Sequence, residues 1–114
     1  MTEARLTSRM TVDALMRRVR AEGGFATLLA RGDETSGAIV LVCAERGAVK
    51  ALLERTLDLE GRYRWTRCGP DEVESAATRD SYLQRRRDRD PDLWLIELDI
   101  ADAERFAAET MSFR

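Results

Sequence analysis

Residues 88–98, Asp-Arg-Asp-Pro-Asp-Leu-Trp-Leu-Ile-Glu-Leu, change character at their midpoint: charged residues crowd the first half and apolar ones the second. Pro91 disfavours helical geometry at Asp90, so a helix arriving from upstream ends there. Asp92 then opens a closing strand, Asp92–Ile100. Successive side chains on a strand alternate between faces. Leu93 and Leu95 therefore face one way, and Trp94, Ile96 and Leu98 the other. A strand apolar on both faces belongs inside a sheet. Glu97 falls on the Leu95 side, and burial there calls for an arginine on a neighbouring strand.

Working upstream, the helix that Pro91 stops opens at Cys68-Gly-Pro-Asp-Glu72 and runs to about Arg87. Pro70 suits a first helical position, and the acids suit the first turn. Its apolar stripe is thin (Val73, Ala76, Ala77, Tyr82, Leu83), as in a helix that covers a sheet. Before it, Arg62-Tyr-Arg-Trp-Thr-Arg67 alternates strictly, a half-buried strand with Tyr63 and Trp65 inward. Three more strands precede it: Phe25–Arg31, Gly37–Glu45 and Ala48–Leu57. The second of these is apolar on both faces, which places it in the middle of a sheet. Polar loops at Gly32–Gly37, Arg46-Gly47 and Asp58–Gly61 make the first four strands an antiparallel meander. Residues 8–22 form the first helix, with Val12, Leu15, Met16 and Val19 as its stripe, Ser8 or Thr11 as the cap and Gly23-Gly24 as the stop.

The expected fold is α+β. An antiparallel sheet of about five strands carries two helices packed on one face, in the order α-β-β-β-β-α-β. The last strand sits antiparallel beside the first, and a short C-terminal helix lies within 101–114. At 114 residues the chain fits one domain, 1–114, with residues 1–7 and 101–114 peripheral or flexible.

Composition narrows the function classes. Apolar residues make up 44% and charged residues 35%, the balance of a soluble globular protein. The net charge of −2 provides no global field for nucleic acid. No histidine is present, which removes the usual general base and the commonest metal ligand. Cys43 and Cys68 lack the spacing and nitrogen partners of a zinc site, and Cys43 reads as a core residue. No cofactor is expected. The longest apolar run, Ala38–Ala44, is far too short to span a membrane, and the N-terminus has no signal peptide, so a cytoplasmic location and no membrane partner are expected.

Three stretches together carry a family resemblance: Arg17-Arg-Val-Arg-Ala-Glu-Gly-Gly-Phe-Ala26, Arg31-Gly-Asp-Glu-Thr-Ser-Gly-Ala-Ile39 and Asp90-Pro-Asp-Leu-Trp-Leu-Ile-Glu97. In that order they resemble the small bacterial domain-of-unknown-function 1491 family, found mainly in alphaproteobacteria. The likeness runs to about residue 100. Its most specific segment contains Asp90, Pro91, Asp92, Leu93 and Trp94, followed by Glu97. It implies a small cytosolic protein and supplies no catalytic residues.

Three constellations stand out. Asp88, Asp90, Asp92, Glu97 and Asp99 form an acidic cluster, but Asp92 lies on the strand face opposite Glu97 and Asp99, and no lysine accompanies them. A divalent-metal enzyme is the least favoured reading. Arg62, Arg64, Arg85, Arg86 and Arg87 form a basic patch with Tyr63 and Trp65 interleaved, the pattern of single-strand binding, although alternation sets the aromatics opposite Arg62 and Arg64. The Gly32–Gly37 loop lacks the lysine of a phosphate loop. The serines and cysteines have no histidine to activate them. The favoured reading is a non-enzymatic protein-interaction module, with an unknown protein or a second copy as partner. Trp94, Trp65, Phe106, Met111 and Phe113 are its candidate contact residues. Nucleic-acid binding through the arginine patch is the alternative.

Overall fold

A computed structural model describes residues 7–112. It contains α1 (Ser8–Ala21), β1 (Phe25–Ala30), β2 (Ile39–Glu45), β3 (Ala48–Leu57), β4 (Tyr63–Cys68), α2 (Ala76–Arg89), β5 (Trp94–Asp99) and α3 (Ala103–Ser112). The α+β class and the short C-terminal helix are as expected. The side chain of Met111, together with residues 1–6 and Phe113, lies outside what is described.

The sheet order is β1-β5-β2-β3-β4. β5 pairs antiparallel with β1 and parallel with β2, while β2/β3 and β3/β4 are antiparallel. The closing strand is therefore beside the first, as expected. The meander is not: β1 and β2 do not pair, because β5 lies between them. The reason is visible in both partners. The connection after β1 is too long for a tight hairpin turn and spans two inter-strand spacings, about 10 Å. β5 itself has Trp94, Leu95, Ile96 and Leu98 buried, with Leu93 buried just ahead of it, which only an interior position allows.

The helices divide unequally between the faces. Val12, Leu15 and Val19 of α1 and Ala103 and Ala107 of α3 pack with Ile39, Leu41, Cys43, Leu53, Trp94, Ile96 and Leu98. On the other face Leu83 of α2 and Val73 of the preceding loop pack with Val40, Val42, Leu52, Leu93 and Leu95. Two helices do share a face, but they are α1 and α3. α2 covers the opposite side, because β2 and β5 present apolar residues both ways and need cover on both. Each buried large aliphatic there contributes roughly 1.5–3 kcal/mol.

Local chemistry sets the element ends. Thr7 caps α1 by accepting from the Met10 amide, in place of the expected Ser8 or Thr11. α2 begins at Ala76 rather than at Pro70. Ser75 caps it, and residues 69–75 form a loop anchored by buried Val73. The helix ends at Arg89, with Asp90 as its C-cap just ahead of Pro91. The β2–β3 turn places Arg46 and Gly47 at φ 55° and 83°, the two left-handed positions of a tight hairpin. The Asp99 carboxylate of β5 accepts from both of their amides, at 2.8 Å each.

Candidate functional site

The sequence stretches that looked most distinctive meet around β5. The 31–38 connection crosses the start of that strand. The Asp33 amide donates to the Asp92 carbonyl at 3.0 Å, and the Trp94 amide to the Ala38 carbonyl at 2.8 Å. The Trp94 indole N–H donates to the Asp33 carbonyl at 2.7 Å. Gly32 and Gly37 lie directly against the Asp92 carbonyl, with no room for a Cβ at either position. The first turn of α1 rests on the same loop. Its Ser8 and Arg9 amides, which lack partners within the helix, donate to the Thr35 and Glu34 carbonyls at 3.1 and 2.9 Å. At the far end of β5, a Cβ on Gly24 would fall 2.8 Å from the Asp99 carbonyl oxygen. Both ends of the inserted strand are thus clasped by glycine-bearing segments.

Three acids of this region, Asp33, Glu34 and Asp90, have local partners. The Ser36 and Thr35 amides donate to the Asp33 carboxylate and hold its pKa below the usual range. Glu34 is lowered by the Arg31 side chain and then by Arg9, both ion-paired to it. Asp90 accepts from the Asp92 amide. Glu97 is half-buried, and the expected arginine is missing: among the described residues it has no cation in salt-bridge range. The neighbouring strands explain this, since Thr27 and Val42 stand opposite it. Among the described residues no three acidic or cysteine side chains group closely enough to hold a metal ion.

A groove of about 420 Å³ runs between α1 and β1. Val12, Met16, Leu28 and the buried Trp94 supply its apolar surface, and Arg9, Arg17, Arg20 and Arg31 carry its charge against one acid, Asp13. Arg20 donates to the Ala26 carbonyl at 2.8 Å, and Arg31 lies over the Trp94 ring at 5.8 Å. Arg17 has no carboxylate in salt-bridge range among the described residues. β1 is an edge strand, and Phe25, Leu28 and Leu29 are 74%, 42% and 43% exposed along it. Nothing charged and no proline interrupts Phe25–Ala30, although a register shift falls between Leu28 and Ala30. The other edge, β4, carries Arg64 and Arg67.

The predicted contact residues are largely buried, although Trp94 also floors the groove. Trp94 is 2% exposed, and Trp65 and Phe106 pack partly buried against the α1–α3 core. Among the described residues the Trp65 indole nitrogen is buried there without a hydrogen-bond partner. The signal that marks β1 is Leu28-Leu29, two adjacent apolar residues that no alternating strand can bury on one face.

The basic patch is partly spent on local pairs. Arg64 bonds Asp58 at 2.7 Å, and Arg86 bonds Glu54 at 3.1 Å and the Tyr82 hydroxyl at 2.7 Å. Burial opposes the charge on Arg86, but Tyr82 and Glu54 outweigh it and raise its pKa. Arg85 bonds the Ser81 hydroxyl at 3.1 Å, while Arg62 and Arg87 are exposed. Tyr63 lies beneath Arg55 at 4.2 Å, and Arg55 in turn bonds Thr11 and Ser8 of α1. The aromatics therefore serve the α1 side of the sheet, and Cys68, in step with Arg62 and Arg64, serves the α2 side.

Comparison with known proteins agrees with this architecture. A family model described as protein of unknown function (DUF1491) matches residues 6–108. The crystal structure of a DUF1491 family protein from Caulobacter crescentus CB15 superposes with a TM-score of 0.75 at 28% identity, covering 90% of this chain and 94% of that one. An NMR structure of a DUF1491 family protein from the same organism gives 0.75 at 28%, covering 91% and 94%. The solution structure of protein Atu0922 from A. tumefaciens gives 0.64 at 34% identity, covering 85% and 87%. No curated protein matches the chain.

Proposed function

The chain belongs to the DUF1491 family of proteins of unknown function, and from that premise we propose that it is a non-enzymatic protein-interaction module whose contact surface is the open edge of β1. One observation carries this reading. Phe25, Leu28 and Leu29 are exposed along an edge strand that has no charge or proline to guard it. Natural sheets usually block such edges, because unpaired backbone amides and carbonyls recruit another strand. The chemistry of the rest of the molecule fits the same reading, since the chain has no histidine to activate its serines or cysteines. The arginine patch of Arg62, Arg64, Arg85, Arg86 and Arg87 supports nucleic-acid binding less well, because Arg64 and Arg86 are held by carboxylates, Tyr82 is already bonded to Arg86, and Tyr63 and Trp65 face the other side of the sheet.

A photo-crosslinking residue placed at Leu28 should give discrete protein adducts in cells. The same residue at Thr66, on the opposite edge, should give none. Equal labelling from the two edges, or none from Leu28, would sink the proposal.

A further inference from the structure

We propose that the β1 edge takes an extended, acidic segment of another protein as a sixth strand, with its acids turned towards α1 and its apolar residues towards Phe25. This rests on the interaction reading above and names the partner's chemistry. The Ala26 carbonyl is already taken by Arg20, and the remaining edge groups of β1 offer the hydrogen bonds of strand addition, while side-chain pockets on alternate sides supply specificity.

The two sides differ in charge. On the α1 side, Leu28 sits beside Arg17, Arg20 and Arg31, and Arg17 is unpaired among the described residues. On the other side, Phe25 and Thr27 stand level with Asp99 and Glu97 of β5. An added strand with acids at every second position therefore meets arginines on one side and keeps carboxylates away from Glu97 on the other. Its remaining residues cover Phe25, which is 74% exposed.

A second copy fits less well. Antiparallel β1–β1 pairing in a continuous sheet keeps both α1 helices on one face, so Arg17 and Arg20 of each copy approach those of the other. Like charges across such a junction are disfavoured.

The test uses the full chain and a capped hexapeptide of alternating Glu and Val, with a Lys–Val hexapeptide and a twelve-nucleotide thymidine strand as controls. In amide NMR spectra the Glu–Val peptide should shift resonances of residues 25–30, with binding weakened about tenfold by Arg17→Glu. Arg17 is exposed and in no ion pair among the described residues, so that variant should keep its fold, and a melting curve checks this. No shift at millimolar Glu–Val peptide, or an equal shift with the Lys–Val peptide, would overturn the proposal. A shift caused by the thymidine strand alone would overturn it in favour of nucleic acid. Dimerisation of the free protein that Phe25→Glu abolishes would overturn the acidic partner yet leave the interaction module standing. Silence of the Leu28 crosslinker in cells removes the module itself.

Discussion

Gly37 is buried against the Asp92 carbonyl with no space for a methyl group. Gly37→Ala should therefore destabilise the protein by about 1–3 kcal/mol, as overpacking does, and thermal melting will read the loss. In sequence this glycine looks like an ordinary turn residue. Its real constraint is a strand more than fifty positions away, which no local pattern reveals. Glu97 runs the other way. Its place on a buried strand invites an arginine partner, but the register puts Thr27 and Val42 beside it. With no ion pair to lose, Glu97→Gln should leave the melting temperature within about 1 °C of the parent, because substitutions away from specific interactions change little. A clear fall would reveal a partner that the geometry lacks. Asp99 is the carboxylate that does bind, through the amides of Arg46 and Gly47. Its role was hidden because those amides belong to a turn on another strand.

Among the elements, β2 and β5 were legible because both are apolar on two faces, and that alone requires a central place in a sheet. The order of strands was less so, since hairpin-like loops suggest neighbours even where a strand later separates them. The start of α2 was misread because Pro70 and two acids imitate a helix opening, while the true cap, Ser75, carries a plainer signal. α3 contributes Ala103 and Ala107 to the core and holds β4 through Glu104, which receives two hydrogen bonds from Arg67 at 2.7 and 2.8 Å. Arg67 keeps the Glu104 carboxyl below its usual pKa. Ending the chain at residue 100 uncovers Trp65 and the α1-facing core. The shortened protein should melt several degrees lower, in line with a loss of about 1–3 kcal/mol, and should bind hydrophobic dyes. An unchanged melting curve would show that α3 adds no stability.

For the whole molecule, the lack of histidine has a measurable result. Histidine is the only side chain whose ordinary pKa lies near neutrality, and the chain has none, so stability should be flat between about pH 5.5 and 7.5. Below that plateau, Asp33, Glu34, Asp58 and Glu104 are all held under their ordinary values of 3.8 for Asp and 4.5 for Glu. The unfolded chain takes up those protons first. Stability present above this range is therefore lost as pH falls through it towards the lower folded values. At the alkaline end, burial pushes the Cys43 thiol up from 9.0 to about 12, so the unfolded thiol ionises first and stability declines as pH rises past 9.0. Melting temperatures measured across pH 3–10 should show a plateau with two shoulders, and a slope across the neutral range would contradict it. The insertion of β5 between β1 and β2 also governs the order of events at the ribosome. β1 emerges early, but its pairing partner is made roughly 65 residues later, a wait of about 3–13 s at ordinary translation speeds. Throughout that interval both sides of β1 and one side of β2 are bare. The nascent chain is therefore a better client for a chaperone than the finished protein, and its sheet closes only once β5 has been synthesised.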